Sequence, residues 1–479
     1  MVKTHQNYID GEWREATTDE TFEVINPADP SEVVGIFQES NRADAREAIH
    51  AADGATSEWA GMPAPERGSI LQEASEILAD QKREITQELV REEGKTAPEA
   101  GGEVQRAIDI FAYYGQRARD FKGDVKQSSG TRSNLYTRKD PLGIAALITP
   151  WNYPIAIPAW KLGPALATGN TVVFKPASLA PTVSKRLIEA LDEAGIPDGT
   201  VNYVTGPGST VGDEFMSHEL IDAVSFTGSS KVGNMVYDTA TDAQKRVQCE
   251  MGGKNPTLVT KNADLDDAVS VVGYGAFGVT GQACTATSRA IVHEGLYDDF
   301  VDQISEFAEN IEVGYGLDGA DMGPQVSESE LNGTLDYIDV AKDEGATLET
   351  GGNAIDKTGY FVEPTVFSDV ESDMRIAQEE VFGPVLAIIP VSDFDEGVQI
   401  ANDTEYGLSA SIVTDDLTEA NEFVDRVESG VVKVNEMTTG LELHVPFGGV
   451  KNSSTNTYRE QGEAGMEFFT TTRTVYENY

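Results

Sequence analysis

Cysteine is nearly absent: Cys249 and Cys284 are the only two in 479 residues, and they form no CxxC pair. This excludes a disulfide framework and fits a reducing compartment, where a free thiolate persists for chemistry. Histidine is also scarce. His5, His50, His218, His293 and His444 are scattered without the spacing of ligands, so no metal centre is expected. No stretch approaches 18 consecutive apolar residues, which argues against a membrane span. The opening MVKTHQNYIDGEW lacks the apolar centre of a secretory signal, and a soluble, cytoplasmic protein is expected. Positive charge is heavily outnumbered, with 35 Lys and Arg against 81 Asp and Glu, for a formal charge of −46. A field of that sign repels nucleic acid and anionic lipid, so neither is expected as a partner. The acids are spread along the chain, as at Asp264, Asp266 and Asp267, and do not form a tail. Such self-repulsion weakens the compact state in dilute buffer, whereas 1 M salt shortens the screening length to about 3 Å. The expectation is a protein adapted to a high-salt cytoplasm.

What the chain does contain is alternation. Ile70, Leu71, Ala74, Ile77, Leu78, Ile85 and Leu89 keep helical spacing up to a stop at Gly94. From residue 143 short apolar runs alternate with amphipathic segments. Runs 144–149, 171–175, 200–204, 222–228 and 246–250 read as strands, and 181–195 reads as a helix between Pro and Gly. Strand–helix–strand repeats imply a parallel sheet, with ligands beyond the carboxyl ends of its strands. A second alternation begins near Pro256, with strands at 256–260 and 288–293 and helices at 264–280 and 297–310. The expected organisation is a Rossmann-type dinucleotide-binding domain from 1–121 and 142–252, and an α/β catalytic domain at 253–445. Residues 122–141 and 446–479 are assigned to a small β arm and a C-terminal segment. The 122–141 stretch and the terminal FFTTTRTVYENY are polar and β-prone, and they read as strands leaving the main body.

Several short strings fall at the strand ends. In GQACTATSR (281–289), Cys284 is either an activated nucleophile or a small buried hydrophobe. In CEMGGKNP (249–256), Glu250 suits a general base if burial raises its pKa; otherwise it is one more solvated acid. Gly252 there permits close approach of a ligand, and Cys249 should face the core. In TPWNYP (149–154), Asn152 offers an amide to an oxyanion, with Trp151 and Tyr153 as walls, or it merely occupies a turn. FTGSSKVG (226–233) and TGPGSTVG (205–212) are Gly-rich turns, the first opening a helix whose N-terminus suits a pyrophosphate. Lys175 ends a strand, while Glu380 and Phe382 lie in QEEVFGPV.

Taken together and in order, these strings resemble the aldehyde dehydrogenase superfamily along nearly the whole chain, from YIDGEW…INPADP to PFGGVKNS. The resemblance implies an NAD(P)-dependent oxidation of an aldehyde to a carboxylic acid through a thiohemiacetal and a thioester. Cys284 would be the nucleophile, Glu250 the water-activating base and Asn152 the oxyanion donor. The cofactor would touch Thr149, Pro150, Trp151, Lys175, Ser178 and Gly208, then Phe226, Thr227, Gly228, Ser229 and Val232, and finally Gly252, Glu380 and Phe382. Many NAD-preferring relatives resemble KPAE where this chain reads KPAS. Ser178 therefore implies that NADP is accepted and preferred over NAD. The arginine pair of the succinic semialdehyde branch is replaced here by Trp160 and Gly278. The stretch 432–462 instead is similar to family members acting on 2-oxoglutarate semialdehyde (2,5-dioxopentanoate), with Arg459 as a candidate for the substrate carboxylate and Tyr153 and Trp160 beside the substrate. A broad or different aldehyde specificity and an inactive binding protein of the same fold are the rival readings. A homodimer or homotetramer built on the arm is the implied assembly.

Overall fold

A computed structural model describes residues 2–479. Five strands form the parallel part of the first sheet: β1 (Ile144–Ile148), β2 (Thr171–Lys175), β3 (Val201–Tyr203), β4 (Ala223–Thr227) and β5 (Arg246–Glu250). Their order is β5-β4-β1-β2-β3, and the antiparallel hairpin of Asn7–Ile9 and Glu12–Arg14 extends the edge beyond β3. β1, β2 and β4 are buried along their whole length, as expected for apolar strands covered on both faces. From β1 the chain winds one way through β2 and β3 and then returns to the other side with β4 and β5. The loops after β1 and β4 therefore diverge and leave a crevice at the switch point.

The second sheet contains β6 (Asn255–Val259), β7 (Thr287–His293), β8 (Thr365–Ser368), β9 (Val385–Val391), β10 (Ser409–Val413) and β11 (Val431–Val434). These run parallel in the order β8-β9-β7-β6-β10-β11, and Thr347–Thr350 pairs antiparallel outside β8. The link from β5 to β6 is only a few residues long, so the first sheet's carboxyl edge faces directly onto the start of the second.

Two helices frame the space between the sheets. α1 (Ala97–Arg117) starts at a capping box in which Glu99 accepts from the Thr96 backbone N–H at 3.0 Å, with a proline in the first turn. α2 (Ala156–Ala167) is buried at every position and packs on α1.

The structure corrects two local expectations. The helical periodicity from Ile70 to Leu89 is carried by two helices, Ala64–Asp80 and Lys82–Glu93, which break at Gln81. Apolar spacing does not register the break because both helices bury the same core stripe. The second helix does end at Gly94, which takes φ +100°. The terminal FFTTTRTVYENY does not leave the body as one piece, since Phe468 and Phe469 are core residues. Only Thr470–Asn478 departs, pairing antiparallel with Ser133–Pro141 from Thr470↔Pro141 to Asn478↔Ser133; Val125–Lys126 completes a three-stranded sheet. Among the described residues, no helix is long and apolar enough to cross a membrane.

Candidate active site

The turn that presents Cys284 is strained. After the helix α3 (Leu265–Phe277), Val279 and Thr280 adopt φ 53° and 56°, and Gly281 follows at 66°. Left-handed backbone at β-branched residues costs on the order of 1–3 kcal/mol each and persists only where the surroundings enforce it. Here they do. The Val279 N–H donates to Glu99 at 2.6 Å, the Thr280 hydroxyl to the Gly323 carbonyl, and the Val326 N–H to the Gln282 side chain at 2.9 Å. A Cβ on Gly281 would lie 2.2 Å from the Gly383 carbonyl oxygen, so only glycine fits. Past the turn, the Asn255 amide donates to the carbonyls of Cys284 and Ala286, both at 2.8 Å.

Cys284 is partly exposed and lies between two cavities, lining both. One, of about 210 Å³, is lined by Pro150, Trp151, Asn152, Thr227, Gly228, Ser229, Met251, Gly252, Glu330, Glu380 and Phe382. The other, of about 250 Å³, is lined by α1, by Tyr153, Ile157 and Trp160, and by Leu441 and Phe447. Burial, followed by the fields of Glu380, Glu250 and Glu460, pushes the Cys284 thiol well above its ordinary range. Cys249 points into the core as expected, and burial pushes it up to about 12.

Asn152 is buried, and its amide donates one hydrogen to the Gln282 carbonyl at 2.9 Å. The second amide hydrogen remains available beside Cys284. The backbone carbonyl of Asn152 accepts from Lys95, a buried ammonium held by Glu93 and Glu103 at 3.1 Å each. Lys95 had no sequence signal, because the Asn152 carbonyl lies 57 positions away and nothing in the spacing marks Glu93 and Glu103 as its partners.

Glu250 lies at the end of β5, buried, and lines neither cavity in this conformation. Its carboxyl accepts from the Gly449 N–H at 2.9 Å and the Ser454 hydroxyl at 3.0 Å. Burial and the neighbouring Glu460 raise its pKa well above the usual range, against the pull of Gly449, Ser454 and Arg459. The next residues run alongside the thiol loop: a Cβ on Gly253 would lie 2.7 Å from the Cys284 carbonyl oxygen. Nearby, Lys161 donates to Ser225 at 2.7 Å and to Glu460.

Of the residues expected to meet a cofactor, Pro150, Trp151, Thr227, Gly228, Ser229, Gly252, Glu380 and Phe382 line the first cavity together. Trp151 and Phe382 meet edge to face at 5.4 Å. The Gly253 N–H holds Glu380 at 3.0 Å, and burial raises that carboxyl to about 7. A Cβ on Gly252 would sit 2.0 Å from the Glu380 carboxylate, so a larger residue there would displace that carboxyl. Thr149, Lys175, Ser178 and Gly208 lie outside this cavity, around the ends of β1, β2 and β3. Lys175 is buried and donates to the Pro176 carbonyl at 2.9 Å, and burial draws its pKa down to about 8. Ser178 and Gly208 are exposed. Phe226 and Val232 do not line this cavity. The Phe226 ring lies in the core beneath Gly228, where a Cβ would be 2.6 Å away, and Val232 is exposed on the helix Ser230–Asp242 without lining the cavity. Met251 and Glu330 line the cavity without having been anticipated.

On the other side, Tyr153 and Trp160 line the second cavity as expected, but Arg459 does not. Its guanidinium donates to the Gly449 carbonyl, directly behind Glu250, so it fixes the segment that holds the carboxyl.

A dinucleotide suits the donors around the first cavity. The Thr149, Thr227 and Ser230 hydroxyls are buried without a protein partner, and the 13-residue helix Ser230–Asp242 begins at the cavity's rim. Among the described residues no cluster of metal ligands exists.

A doubly wound sheet with a thiol between a nucleotide-sized cleft and an apolar pocket defines a dehydrogenase that works through cysteine. The chain matches the Aldehyde dehydrogenase family over residues 13–475 and belongs to that family. It is 63% identical over its full length, and that of its relative, to an alpha-ketoglutarate semialdehyde dehydrogenase of Haloferax volcanii. It is 44% identical, again with complete coverage of both, to a 2,5-dioxopentanoate dehydrogenase of Saccharolobus solfataricus. Among solved structures, it superposes with a TM-score of 0.96 on a betaine aldehyde dehydrogenase from Staphylococcus aureus in complex with NAD+, at 34% identity, covering 99% of this chain and 94% of that one.

Proposed function

We propose that this enzyme oxidises 2-oxoglutarate semialdehyde to 2-oxoglutarate, with residues 1–121 and 142–252 binding the cofactor and residues 253–445 carrying the thiol. The observation that supports it most is Cys284 at the junction of two cavities with a free Asn152 amide hydrogen alongside. The two semialdehyde-named relatives, matched end to end, support the substrate.

Cys284 loses its thiol proton to solvent, and the thiolate sulfur bonds to the aldehyde carbon as the carbonyl π pair moves onto oxygen. The resulting oxyanion is met by the Asn152 amide and by the Cys284 backbone N–H, which donates to no other backbone carbonyl among the described residues. Lys175, Glu380 and the turn at Thr227–Ser229 would hold NAD(P)+, which would accept the hydride from the carbon now bonded to sulfur. The acyl group then rests on Cys284 as a thioester. Glu250 swings from Gly449 and Ser454 towards it and takes a proton from the water that cleaves the thioester. An oxyanion donor is worth about 3 kcal/mol, so Asn152→Ala is expected to lower kcat by roughly a hundredfold. Steady-state rates at saturating aldehyde check this, and a change in KM alone would remove Asn152 from the role.

NADP is accepted and preferred. Ser178 puts no carboxylate beside Lys175, and the extra 2′-phosphate of NADP would offset the burial of that amine; Glu39 is the one acid whose field reaches it. The expected ratio of kcat/KM for NADP over NAD exceeds one, and a strong NAD preference contradicts it. The three-stranded sheet of Ser133–Pro141 and Thr470–Asn478 serves a homodimer or homotetramer, and the charge of −46 suits concentrated salt. The deciding experiment is an aldehyde panel with both cofactors in molar KCl. The dioxo acid should lead, and betaine aldehyde or glyceraldehyde in first place would overturn the substrate.

A further inference from the structure

We propose that Arg106, on the face of α1 that lines the second cavity, is the anchor for the substrate's carboxylate and selects a carboxylate-bearing aldehyde. This inference rests on the reading of the substrate given above.

Glu99, Gly102, Glu103 and Arg106 recur at helical spacing and form one wall of the cavity that also contains Cys284. Three of the four carry charge, but their states differ. Glu99 is used up by Thr96 and by the Val279 N–H. Glu103 accepts from the Ile155 and Ala156 N–H groups at 3.0 and 3.1 Å and pairs with Lys95. Lys95, the other cation in the lining, is neutralised by Glu93 and Glu103 together. Arg106 has no ion pair within 4.0 Å among the described residues. Its one hydrogen bond goes to the neutral side chain of Gln461, at 3.2 Å.

A half-buried guanidinium without a counterion is costly, and most of its N–H donors remain free. Burial lowers its pKa, and the nearest acids, Glu442 and Asp109, act only through their fields. A bidentate carboxylate is the ligand that this fork fits best. A second donor lies on the same cavity: Trp160 is 8% exposed, and its indole N–H has no protein partner. It fits the 2-oxo group or the second carboxylate oxygen. Gly102, one turn before Arg106, would find nothing within 4 Å of an added Cβ, so the approach to the guanidinium is open. Tyr153, Ile157, Leu441 and Phe447 complete an otherwise apolar sleeve, suited to the methylene chain between the two polar ends. The overall charge opposes an anionic substrate at long range, which makes a local cation all the more necessary.

The test compares 2-oxoglutarate semialdehyde with pentanal, which has the same chain length and no carboxylate, in molar KCl at saturating cofactor. For Arg106→Met, KM for the dioxo acid should rise about tenfold or more with kcat nearly held, while kcat/KM for pentanal stays level or rises. Arg106→Lys should recover part of the loss for the dioxo acid alone. Activity on pentanal shows that each variant has folded. Equal losses for both aldehydes, or no loss for either, would overturn the proposal. Failure of the substrate reading itself would be visible in the unsubstituted enzyme, as preference for another aldehyde, before any variant is examined.

Discussion

Cys284→Ala is expected to abolish turnover, by about 10⁴-fold or more, which is at least about 5 kcal/mol of lost barrier lowering. No other sulfur can substitute, since Cys249 is sealed in the core of the first sheet. The same variant tests the thiol's electrostatics. With burial and three carboxylates holding its pKa up, wild-type Cys284 is mostly protonated at neutral pH in the absence of cofactor. Iodoacetamide labelling should therefore be slow at pH 7 and accelerate by about tenfold per pH unit as the thiolate fraction grows. It should be faster with oxidised cofactor bound, because a cationic ring offsets the surrounding carboxylates. One thiol per chain should react, and Cys284→Ala should leave none. Undiminished turnover in the variant would remove the sulfur from the mechanism.

The thiol's setting shows how strain is spent at this site. Three successive left-handed residues cannot be held by local sequence alone. They are fixed by Glu99 from α1, by Gly323 and by the close approach of Gly383, none of them near Cys284 in the chain. The same α1 carries Arg106, so one helix both holds the turn before Cys284 and forms a wall of the second cavity.

What could be read from the sequence follows from what is local. Alternating apolar runs located all five parallel strands of the first sheet, because both of their faces are buried and the signal is continuous. Cys284, Asn152 and Glu250 stood at strand ends within short strings whose order matched a family, and the structure gathers those strings around one cleft. The break at Gln81 escaped because periodicity persists across it. Lys95 and Asn255 escaped for another reason: the Asn152 carbonyl that Lys95 meets lies 57 positions away and the Cys284 carbonyl that Asn255 meets lies 29 away, and spacing carries no trace of such contacts. Arg459 was a candidate substrate ligand only through the resemblance of residues 432–462 to family members acting on the dioxo acid. Its partner is instead a backbone carbonyl, which sequence cannot point to.

Glu250→Gln should separate the two halves of the reaction. Glutamine has nearly the same shape, and its one carbonyl oxygen can accept from the Gly449 N–H while its NH2 donates to the Ser454 hydroxyl oxygen, so the fold and the acylation of Cys284 should survive. It cannot take a proton from water. Stopped-flow absorbance should then show a burst of reduced cofactor close to one per active site, followed by a steady rate lowered by about 10²–10⁴-fold. The pH dependence has a definite sign. Burial and Glu460 raise the Glu250 pKa, and only the ionised carboxylate is a base. The wild-type steady rate should therefore climb as pH rises towards that elevated pKa, whereas the slow phase of Glu250→Gln should lose this limb. A variant with no burst and a uniformly lower rate would mean that Glu250 assists acylation, and a variant with wild-type steady turnover would mean that another group activates the water. The position of the carboxyl against Gly449 and Ser454 adds a further expectation. Ser454→Ala removes one of the two donors that hold it away from the thioester, and it should leave the burst intact while changing only the rate that follows.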